Sequence, residues 1–259
     1  MSLAPTAWLP ARTSPRAGTL RLICFPSAGS GASRYRGWPA ALPHDVDVLA
    51  VQLPGREGRF GEAPFDQLEP LISVLVRELA PVVGDGTPYV LFGHSMGALI
   101  AFELARRLRR DVLRGPRQLQ VSGHRAPQLP HLGPRLHAEP DARLAHEMRR
   151  LGGTRQEILR ADELVHLLLP TLRADWTLWE TYAYQPEPPL DCDIAVFGGA
   201  EDTETSYFEL AAWRDQTTRT CSLRLFPGDH FFLDSARNLF LSALAEAVQP
   251  YRPKEDAEA

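Results

Sequence analysis

The amino-acid sequence predicts an α/β fold, in which a mostly parallel central sheet is covered by helices on both faces. Short apolar runs alternate with helical patterns along most of the chain, which is typical of repeated strand, helix, strand units. The runs are continuously apolar, as expected for strands that are buried on both faces. One stretch, residues 127–189, has helical patterns but no good strand, which indicates a helical insertion into the sheet.

Six apolar runs are predicted as strands, and four of the patterns around them as helices. The predicted strands cover residues 19–25, 46–53, 89–92, 118–122, 194–197 and 222–226. The predicted helices cover residues 65–83, 96–110, 206–215 and 235–249. Because helices separate most of these strands, the strands are expected to run parallel.

The insertion contains two helical patterns, at residues 141–151 and 162–184, and Pro170 is expected to kink or divide the second. Such an insertion would form a lid over the carboxyl ends of the strands, where α/β folds hold their sites. The predicted organisation is a core of residues 19–126 and 190–251, a helical lid subdomain of residues 127–189, and flexible ends at 1–18 and 252–259.

The overall composition is that of an ordinary globular protein. Hydrophobic residues make up 44% and charged residues 23% of the 259, and the formal net charge is −4. This charge gives no reason to expect nucleic acid or an anionic membrane as a partner. The N-terminus has no apolar run of signal-peptide length, and no stretch has the ~18 apolar residues that cross a bilayer, so a cytoplasmic protein is expected.

No metal site or cofactor is predicted. Cys24, Cys192 and Cys221 form neither a Cys-x-x-Cys pair nor an even disulfide set, so they are expected to be reduced core residues. The loop of small residues at 26–32 has neither the Gly-x-Gly-x-x-Gly pattern nor the lysine of a phosphate-binding loop.

The sequence Gly93-His94-Ser95-Met96-Gly97 stands between the predicted strand 89–92 and the helical pattern that follows. A serine at such a sharp strand-to-helix turn is exposed at the helix N-terminus, where the helix dipole favours developing negative charge. Glycines on both sides avoid the clashes that larger residues would make. This position, more than the short pattern itself, favours Ser95 as a catalytic nucleophile over an ordinary glycine-rich turn.

A serine hydroxyl needs a positioned base, which is itself held by an acid; in folds with this turn the chain order is serine, acid, histidine. Six histidines follow Ser95, and His230 lies directly after the last predicted strand and before the last predicted helix. His146 and His166 lie in the predicted lid helices. His230 is therefore the candidate base.

Asp202 is the candidate acid, because it follows the predicted strand 194–197 and so lies at the same edge of the sheet as the nucleophile. A simple turn aspartate is the alternative. The neighbouring Glu201 should point the other way, and Asp229 cannot easily reach the ring of the histidine beside it. Asp193 precedes its strand and should lie at the opposite edge.

A tetrahedral intermediate needs backbone N–H donors that point at its oxygen. One candidate donor is Met96, the residue after the nucleophile. The other is expected in the loop after the first predicted strand, whose small residues allow a substrate to approach the backbone. Ala28 is the candidate in this oxyanion hole, with its neighbour Ser27 as the alternative.

With these residues assembled, the chain closely resembles the stand-alone type II thioesterases that accompany polyketide and nonribosomal peptide synthases, from about residue 20 to 251. In the first motif many members have Pro-His-Ala-Gly-Gly, where this chain has Ser27 and Ser30. The motifs that carry the resemblance are Phe25-Pro26-Ser27-Ala28-Gly29, Gln52-Leu53-Pro54-Gly55-Arg56-Glu57, Gly93-His94-Ser95-Met96-Gly97, Leu169-Pro170-Thr171-Leu172-Arg173-Ala174-Asp175, Glu180-Thr181-Tyr182-Ala183-Tyr184, Phe197-Gly198-Gly199 before Asp202, and Gly228-Asp229-His230-Phe231-Phe232.

The resemblance implies an α/β-hydrolase fold with a helical lid and a triad that matches Ser95, Asp202 and His230. It also implies hydrolysis of acyl groups from the phosphopantetheine arm of acyl or peptidyl carrier proteins, in editing or in product release. Only about 18 residues precede the first predicted strand, so a stand-alone enzyme is expected instead of the last domain of a synthase. This enzyme is expected to be a monomer. The same triad could serve a small-molecule carboxylesterase or an acyltransferase.

Four residues are candidates for substrate binding: Ser27, Trp176, Trp179 and Phe231. The two tryptophans belong to an apolar face of the predicted lid, at helical spacing. This face could line an acyl channel, although such a stripe is more often plain core.

Eight arginines are considered for docking an acidic carrier protein. The four that end the predicted helix 96–110 should lie about 20 Å from the nucleophile and chiefly complement the helix C-terminus. Four others lie on loops nearer the site and are better candidates, with a solvated surface as the alternative: Arg34, Arg36, Arg56 and Arg59.

Overall fold

The computed structural model describes residues 5–10, 19–111, 113–153 and 159–253. Most of the predicted flexible ends lies outside these described residues, in 1–4, 11–18 and 254–259. A short part of the predicted lid, residues 154–158, also lies outside them.

Trp8 and Leu9 fall within the predicted flexible N-terminus, but both are buried in the main core. The Trp8 carbonyl accepts a hydrogen bond from the backbone N–H of Gln52, and the Arg59 guanidinium lies 4.2 Å from the centre of the Trp8 ring. These two residues are therefore ordered by packing, unlike the loose end that the sequence predicts. Burial in the core removes their large apolar side chains from water, which stabilises this arrangement.

The centre of the protein is one six-stranded sheet. Its strands are β1 Leu20–Phe25, β2 Val46–Ala50, β3 Tyr89–His94, β4 Gln118–Ser122, β5 Asp193–Gly199 and β6 Cys221–Phe226. All neighbours pair in parallel, in the order β2-β1-β3-β4-β5-β6. Every residue of β1, β3 and β4 is buried, as expected for strands that helices cover on both faces, and this includes the polar Gln118, Gln120 and Ser122 of β4.

The helices cover both faces of this sheet. Within the described residues the α-helices are α1 Leu68–Val83, α2 Met96–Arg110, α3 Asp141–Leu151, α4 Asp162–Glu180, α5 Tyr207–Ala211, α6 Phe232–Ser235 and α7 Arg237–Val248. Successive strand residues point to opposite faces, so Ile23 of β1 packs into the core with α1 and α2, and Leu22 into the core with α7. The predicted α/β fold, with a parallel sheet and helices on both faces, is confirmed.

The segment between β4 and β5 contains α3 and α4, and these helices build a third core around Leu144 and Trp176. α4 continues through Pro170, so the expected division of this helix does not occur. Pro170 and His166 are both exposed, so the His166 carbonyl, which loses its intrahelical partner at the proline, can bond to water. The division of the chain into a core and a lid subdomain stays a prediction.

Some elements end earlier than predicted. β2 ends at Ala50, and the chain then forms a loop that contacts α4 through Gly55 and Arg56. The predicted helix 206–215 is divided into α5 and the 3-10 helix Ala212–Gln216. In the described part of the chain, no helix is both long enough and apolar enough to cross a membrane.

Candidate active site

Ser95 lies at the turn between β3, which ends at His94, and α2, which begins at Met96. Its backbone has φ 54° and ψ −123°, which places a non-glycine residue in the left-handed half of conformational space. The surroundings hold this strained turn, because the Ser95 N–H donates to the Ser122 carbonyl at 2.7 Å. The Ser95 side chain is half-buried at the N-terminus of α2.

The two glycines of this turn are required by backbone contacts. A Cβ atom on Gly93 would lie 2.0 Å from the Gly97 carbonyl oxygen, and a Cβ atom on Gly97 would lie 2.2 Å from the Phe25 carbonyl oxygen. Both obstacles are backbone atoms, which cannot rotate away as a flexible side chain can. Only glycine therefore fits at either position without moving β1, β3 or α2.

His230 and Asp202 form a hydrogen-bonded pair at the carboxyl ends of the strands. Asp202 lies on the loop after β5, and His230 lies on the loop after β6. The His230 Nδ1 donates to Asp202 Oδ2 at 2.9 Å, and the Glu204 N–H donates to Asp202 Oδ1 at 2.7 Å. With its proton on Nδ1, the imidazole keeps a lone pair on Nε2 that can accept a proton.

The other acids considered from the sequence lie elsewhere. Glu201 is exposed, and the Asp229 carboxylate accepts from the Phe231 N–H at 2.8 Å. Asp193 begins β5, at the opposite edge of the sheet, where its carboxylate accepts from the Tyr251 hydroxyl. Of these four acids, Asp202 is the one bonded to His230.

Ser95 and His230 both line two neighbouring cavities, of about 590 and about 540 Å³. Trp176 lines both cavities as well, and Trp179 lines the larger one. Ser27 and Phe231 line the smaller one. The structure thus brings the four predicted substrate-binding residues to the walls around Ser95.

The two predicted oxyanion donors belong to residues near Ser95, one next to it in the chain and one on the wall of a cavity that Ser95 also lines. Met96 is the first residue of α2, so its backbone N–H has no acceptor within the helix. Ala28 lies on the loop after β1 and lines the smaller cavity together with Ser95. Its neighbour Ser27 is buried, and the Ser27 hydroxyl lies 3.1 Å from the Ser30 hydroxyl.

Asp175, which sequence reasoning did not single out, reaches this loop from α4. Its Oδ2 accepts a hydrogen bond from the Gly29 N–H at 2.7 Å. Its two oxygens also accept from the Arg56 guanidinium, at 2.6 and 2.8 Å. The only signal in the sequence is that Asp175 and Arg56 both stand in motifs that carry the family resemblance, since the two residues are far apart in the chain.

Arg56 is therefore not available for docking, because its side chain is buried against Asp175. Of the other arginines predicted near the site, Arg34 pairs with Asp234 and Arg59 pairs with Glu62, whereas Arg36 is exposed.

The arginines at the end of α2 form ion pairs within the protein. Glu187 pairs with Arg106, Arg109 and Arg110, and Arg107 pairs with Glu69 and Asp111.

Two further histidines lie beside the site. His94 is buried, and its ring centre lies 5.0 Å from that of His230. His124 is buried in the wall of the larger cavity, and its Nδ1 donates to the Arg125 carbonyl at 2.7 Å. Burial lowers the pKa of His94 well below its ordinary value and lowers the pKa of His124 to about 3. Both rings therefore stay uncharged at neutral pH.

The buried neutral His124 should make the protein less stable in acid. Its pKa is near 6.5 in the unfolded chain and about 3 in the folded protein, so below pH 6.5 the unfolded chain binds a proton that the folded protein does not. The free energy of unfolding should thus fall with falling pH, by up to about 1.4 kcal/mol per pH unit for this histidine. The variant His124→Asn keeps a donor for the Arg125 carbonyl. When its free energy of unfolding in urea is measured between pH 6 and 4, the fall per pH unit should be smaller than in the wild type by about that amount.

His166→Asn is the matched control for this prediction. The His166 ring also bonds to a backbone carbonyl, that of Asp162, but the residue is exposed on α4. Because the His166 side chain is exposed, this variant removes an imidazole without disturbing a buried site, and it is the reference for the slope measured in His124→Asn. An unchanged slope in His124→Asn would contradict the prediction.

The comparisons with known proteins agree with this geometry. The thioesterase domain family matches residues 20–250 of the 259. The gramicidin S biosynthesis protein GrsT of Aneurinibacillus migulanus is 42% identical over 217 residues, which cover 84% of this chain and 84% of that protein.

Two solved structures support the same assignment. The RedJ thioesterase from the prodiginine biosynthetic pathway in Streptomyces coelicolor matches with a TM-score of 0.84 and 41% identity, over 90% of this chain and 91% of that one. The type II thioesterase BorB from the borrelidin biosynthetic cluster matches with a TM-score of 0.86 and 36% identity, over 95% of this chain and 100% of that one. The chain therefore belongs to the thioesterase domain family: it is a thioester hydrolase with an α/β-hydrolase fold, related to the type II thioesterases of polyketide and nonribosomal peptide biosynthesis.

Proposed function

We propose that this thioesterase hydrolyses acyl groups from the phosphopantetheine arm of acyl or peptidyl carrier proteins, through an acyl-enzyme on Ser95. The observation that carries the proposal is the Asp202–His230 pair, bonded at 2.9 Å, whose histidine lines the same two cavities as the strained Ser95. A serine on such a turn, a histidine and an orienting carboxylate are the parts that acyl transfer requires.

In the first half of the reaction, His230 Nε2 takes the proton of the Ser95 hydroxyl as Oγ attacks the thioester carbonyl carbon. The negative charge that develops on the carbonyl oxygen is stabilised by the N–H groups of Ala28 and Met96 and by the N-terminus of α2. The carbon–sulfur bond then breaks, the thiolate takes the proton from His230, and the acyl group remains as an ester on Ser95. Asp202 holds the ring and stabilises the imidazolium.

In the second half, His230 takes a proton from a water molecule that attacks the acyl ester. The same two N–H groups stabilise the oxyanion of the tetrahedral intermediate. When this intermediate collapses, His230 gives the proton to Ser95 Oγ and the carboxylic acid is released. Every proton transfer in this cycle passes through one imidazole.

Each of the two cavities would hold one part of the thioester: the acyl group on one side of the carbonyl carbon, and the thiol-bearing group on the other. They meet at Ser95 and His230, where the bond would be cleaved. Trp176 borders both cavities, so it would contact substrate near the reacting carbonyl. Trp179 would contact the group in the larger cavity and Phe231 the group in the smaller one.

The proposal is tested by incubating the protein with carrier proteins loaded with acyl groups of different lengths, and following each by intact-protein mass spectrometry. We expect loss of the acyl mass and recovery of the free phosphopantetheine thiol, with no loss in Ser95→Ala. Faster hydrolysis of matched oxygen esters of small alcohols would instead favour a carboxylesterase. Transfer of the acyl group to an added alcohol in place of water would favour an acyltransferase.

The same panel addresses the role in biosynthesis. A strong preference for one chain length would favour dedicated release, whereas broad and slow hydrolysis would favour editing. The cytoplasmic location and monomeric state that the sequence predicts belong to this proposal, and size-exclusion chromatography with light scattering tests the monomer.

A further inference from the structure

The carboxylate of Asp175 is buried between the lid and the loop that carries Ala28. Asp175 lies on α4 and is 1% exposed. One of its oxygens accepts from the Gly29 N–H at 2.7 Å, on the residue that follows Ala28. α4 is thus bonded directly to the loop of the proposed oxyanion hole.

This loop needs an external restraint. The Ser30 N–H donates to the Ser27 carbonyl at 3.0 Å, which closes a four-residue turn over Ala28 and Gly29. Gly29 has φ +72°, the value that the third residue of a type II turn requires. Because glycine also adopts negative φ easily, the peptide between Ala28 and Gly29 can rotate at little steric cost. A bond from the Gly29 N–H to a fixed acceptor selects one orientation of that peptide.

Arg56 makes Asp175 such a fixed acceptor. Its guanidinium donates to both carboxylate oxygens of Asp175, and its Nε donates to the Pro54 carbonyl at 3.0 Å. Gln52 holds the loop around Arg56, because its side-chain amide donates to the Arg56 carbonyl at 3.0 Å and accepts from the Ala32 N–H at 2.9 Å. The buried charge on Asp175 is therefore paired, and several hydrogen bonds hold its carboxylate in one position.

We propose that Asp175 is a positioning residue. Its carboxylate on α4 anchors Gly29, and with it the hydrogen-bonded turn of residues 27–30, and so keeps Ala28 at the place where its N–H meets the oxyanion. This inference rests on the proposed function, in which Ala28 is an oxyanion donor. Its consequence is that the oxyanion hole is complete only while α4 is seated on the loop after β1.

The test compares two double variants that both remove the buried ion pair. Replacing Asp175 alone with an apolar residue would leave the Arg56 charge buried and unpaired, which by itself destabilises a protein. Arg56→Met with Asp175→Asn keeps a side-chain oxygen that can accept from the Gly29 N–H. Arg56→Met with Asp175→Leu places at position 175 a leucine, which is similar in size to asparagine but has no acceptor for the Gly29 N–H. If the leucine variant does not fold, Arg56→Met with Asp175→Ala takes its place, since alanine cannot clash.

Kinetics with an acyl N-acetylcysteamine thioester give the first readout. We expect the leucine variant to have a kcat about 100-fold below that of the asparagine variant, as loss of one oxyanion donor costs about 10²–10³-fold, with KM within about 3-fold. An acyl trifluoromethyl ketone, which forms a tetrahedral oxyanion adduct on serine, should lose affinity by a similar factor. The corresponding acyl amide, which resembles the ground state, should bind both variants equally.

Equal kcat values in the two variants overturn the inference, and so does a matching loss of affinity for the acyl amide, which would indicate general damage to the cavity. A failure of this inference can be distinguished from a failure of the proposed function. If the wild type hydrolyses oxygen esters and not carrier-bound thioesters, the ratio of the two variants is measured with a p-nitrophenyl ester, because the same oxyanion hole serves both reactions. If the wild type is active on carrier proteins and the variants are equal, only the role of Asp175 fails.

Discussion

Ser95→Ala should lower kcat for thioester hydrolysis by about 10⁴-fold or more, while the protein stays folded. The proposed reaction passes through a covalent ester on Ser95 Oγ, and neither His230 nor Asp202 can form that bond. Alanine at position 95 meets the same positive φ as serine, and the Ser95 N–H bond to the Ser122 carbonyl is a backbone contact that the change leaves in place.

Two measurements check this result. Steady-state hydrolysis gives the loss of kcat, and an acyl fluorophosphonate should add one mass increment to the wild type and none to Ser95→Ala. Ser73→Ala is a suitable control, because Ser73 is an exposed residue of α1 and should keep wild-type activity and labelling. Retention of most of the hydrolysis by Ser95→Ala would exclude the acyl-enzyme.

Gly97→Ala should combine a large loss of stability with a large loss of activity. The added Cβ atom would lie 2.2 Å from the Phe25 carbonyl oxygen, so α2 must move away from β1 or the turn must open. We expect a destabilisation of about 4 kcal/mol or more, since the contact is with backbone and cannot relax by a change of rotamer. A shift of Ser95 by about 1 Å should also lower kcat by about 100-fold.

Urea unfolding and kcat on the same preparation measure the two effects of Gly97→Ala. Gly61→Ala is the matched control, because a Cβ atom at Gly61 would meet no heavy atom within 4 Å and should change stability by no more than about 0.5 kcal/mol. Wild-type stability and kcat in Gly97→Ala would mean that the turn around Ser95 is not held as tightly as these contacts require.

Local patterns were enough to predict the elements that place Ser95. The bounds predicted for β4, α2 and α3 agree with the structure. The two helices have apolar residues at helical spacing, and β4 is a short segment with alternating apolar residues. The turn at residues 93–97 was recognisable from its neighbours, since the strand before it and the helix after it are both continuous in the sequence.

Positions were harder to predict where distant parts of the chain meet. Its place on a loop makes Arg56 a docking candidate in the sequence, but its side chain is buried in an ion pair with Asp175, which is 119 positions away. The prolines and arginines around Trp8 predict a loose end, but Trp8 is buried and the Arg59 guanidinium lies over its ring. In both cases the contact partner lies far away in the sequence, so no local sequence pattern can identify it.

The sequence by itself thus determined the order of strands and helices, the family, and the candidate residues Ser95, Asp202 and His230, because strand, helix and turn preferences depend on near neighbours. The tertiary structure alone decided that His230 bonds to Asp202, that both tryptophans of α4 line the cavities at Ser95, and that α4 holds the loop after β1. These contacts depend on how the sheet and helices pack, and packing selects partners by shape, burial and charge among residues that the sequence leaves far apart.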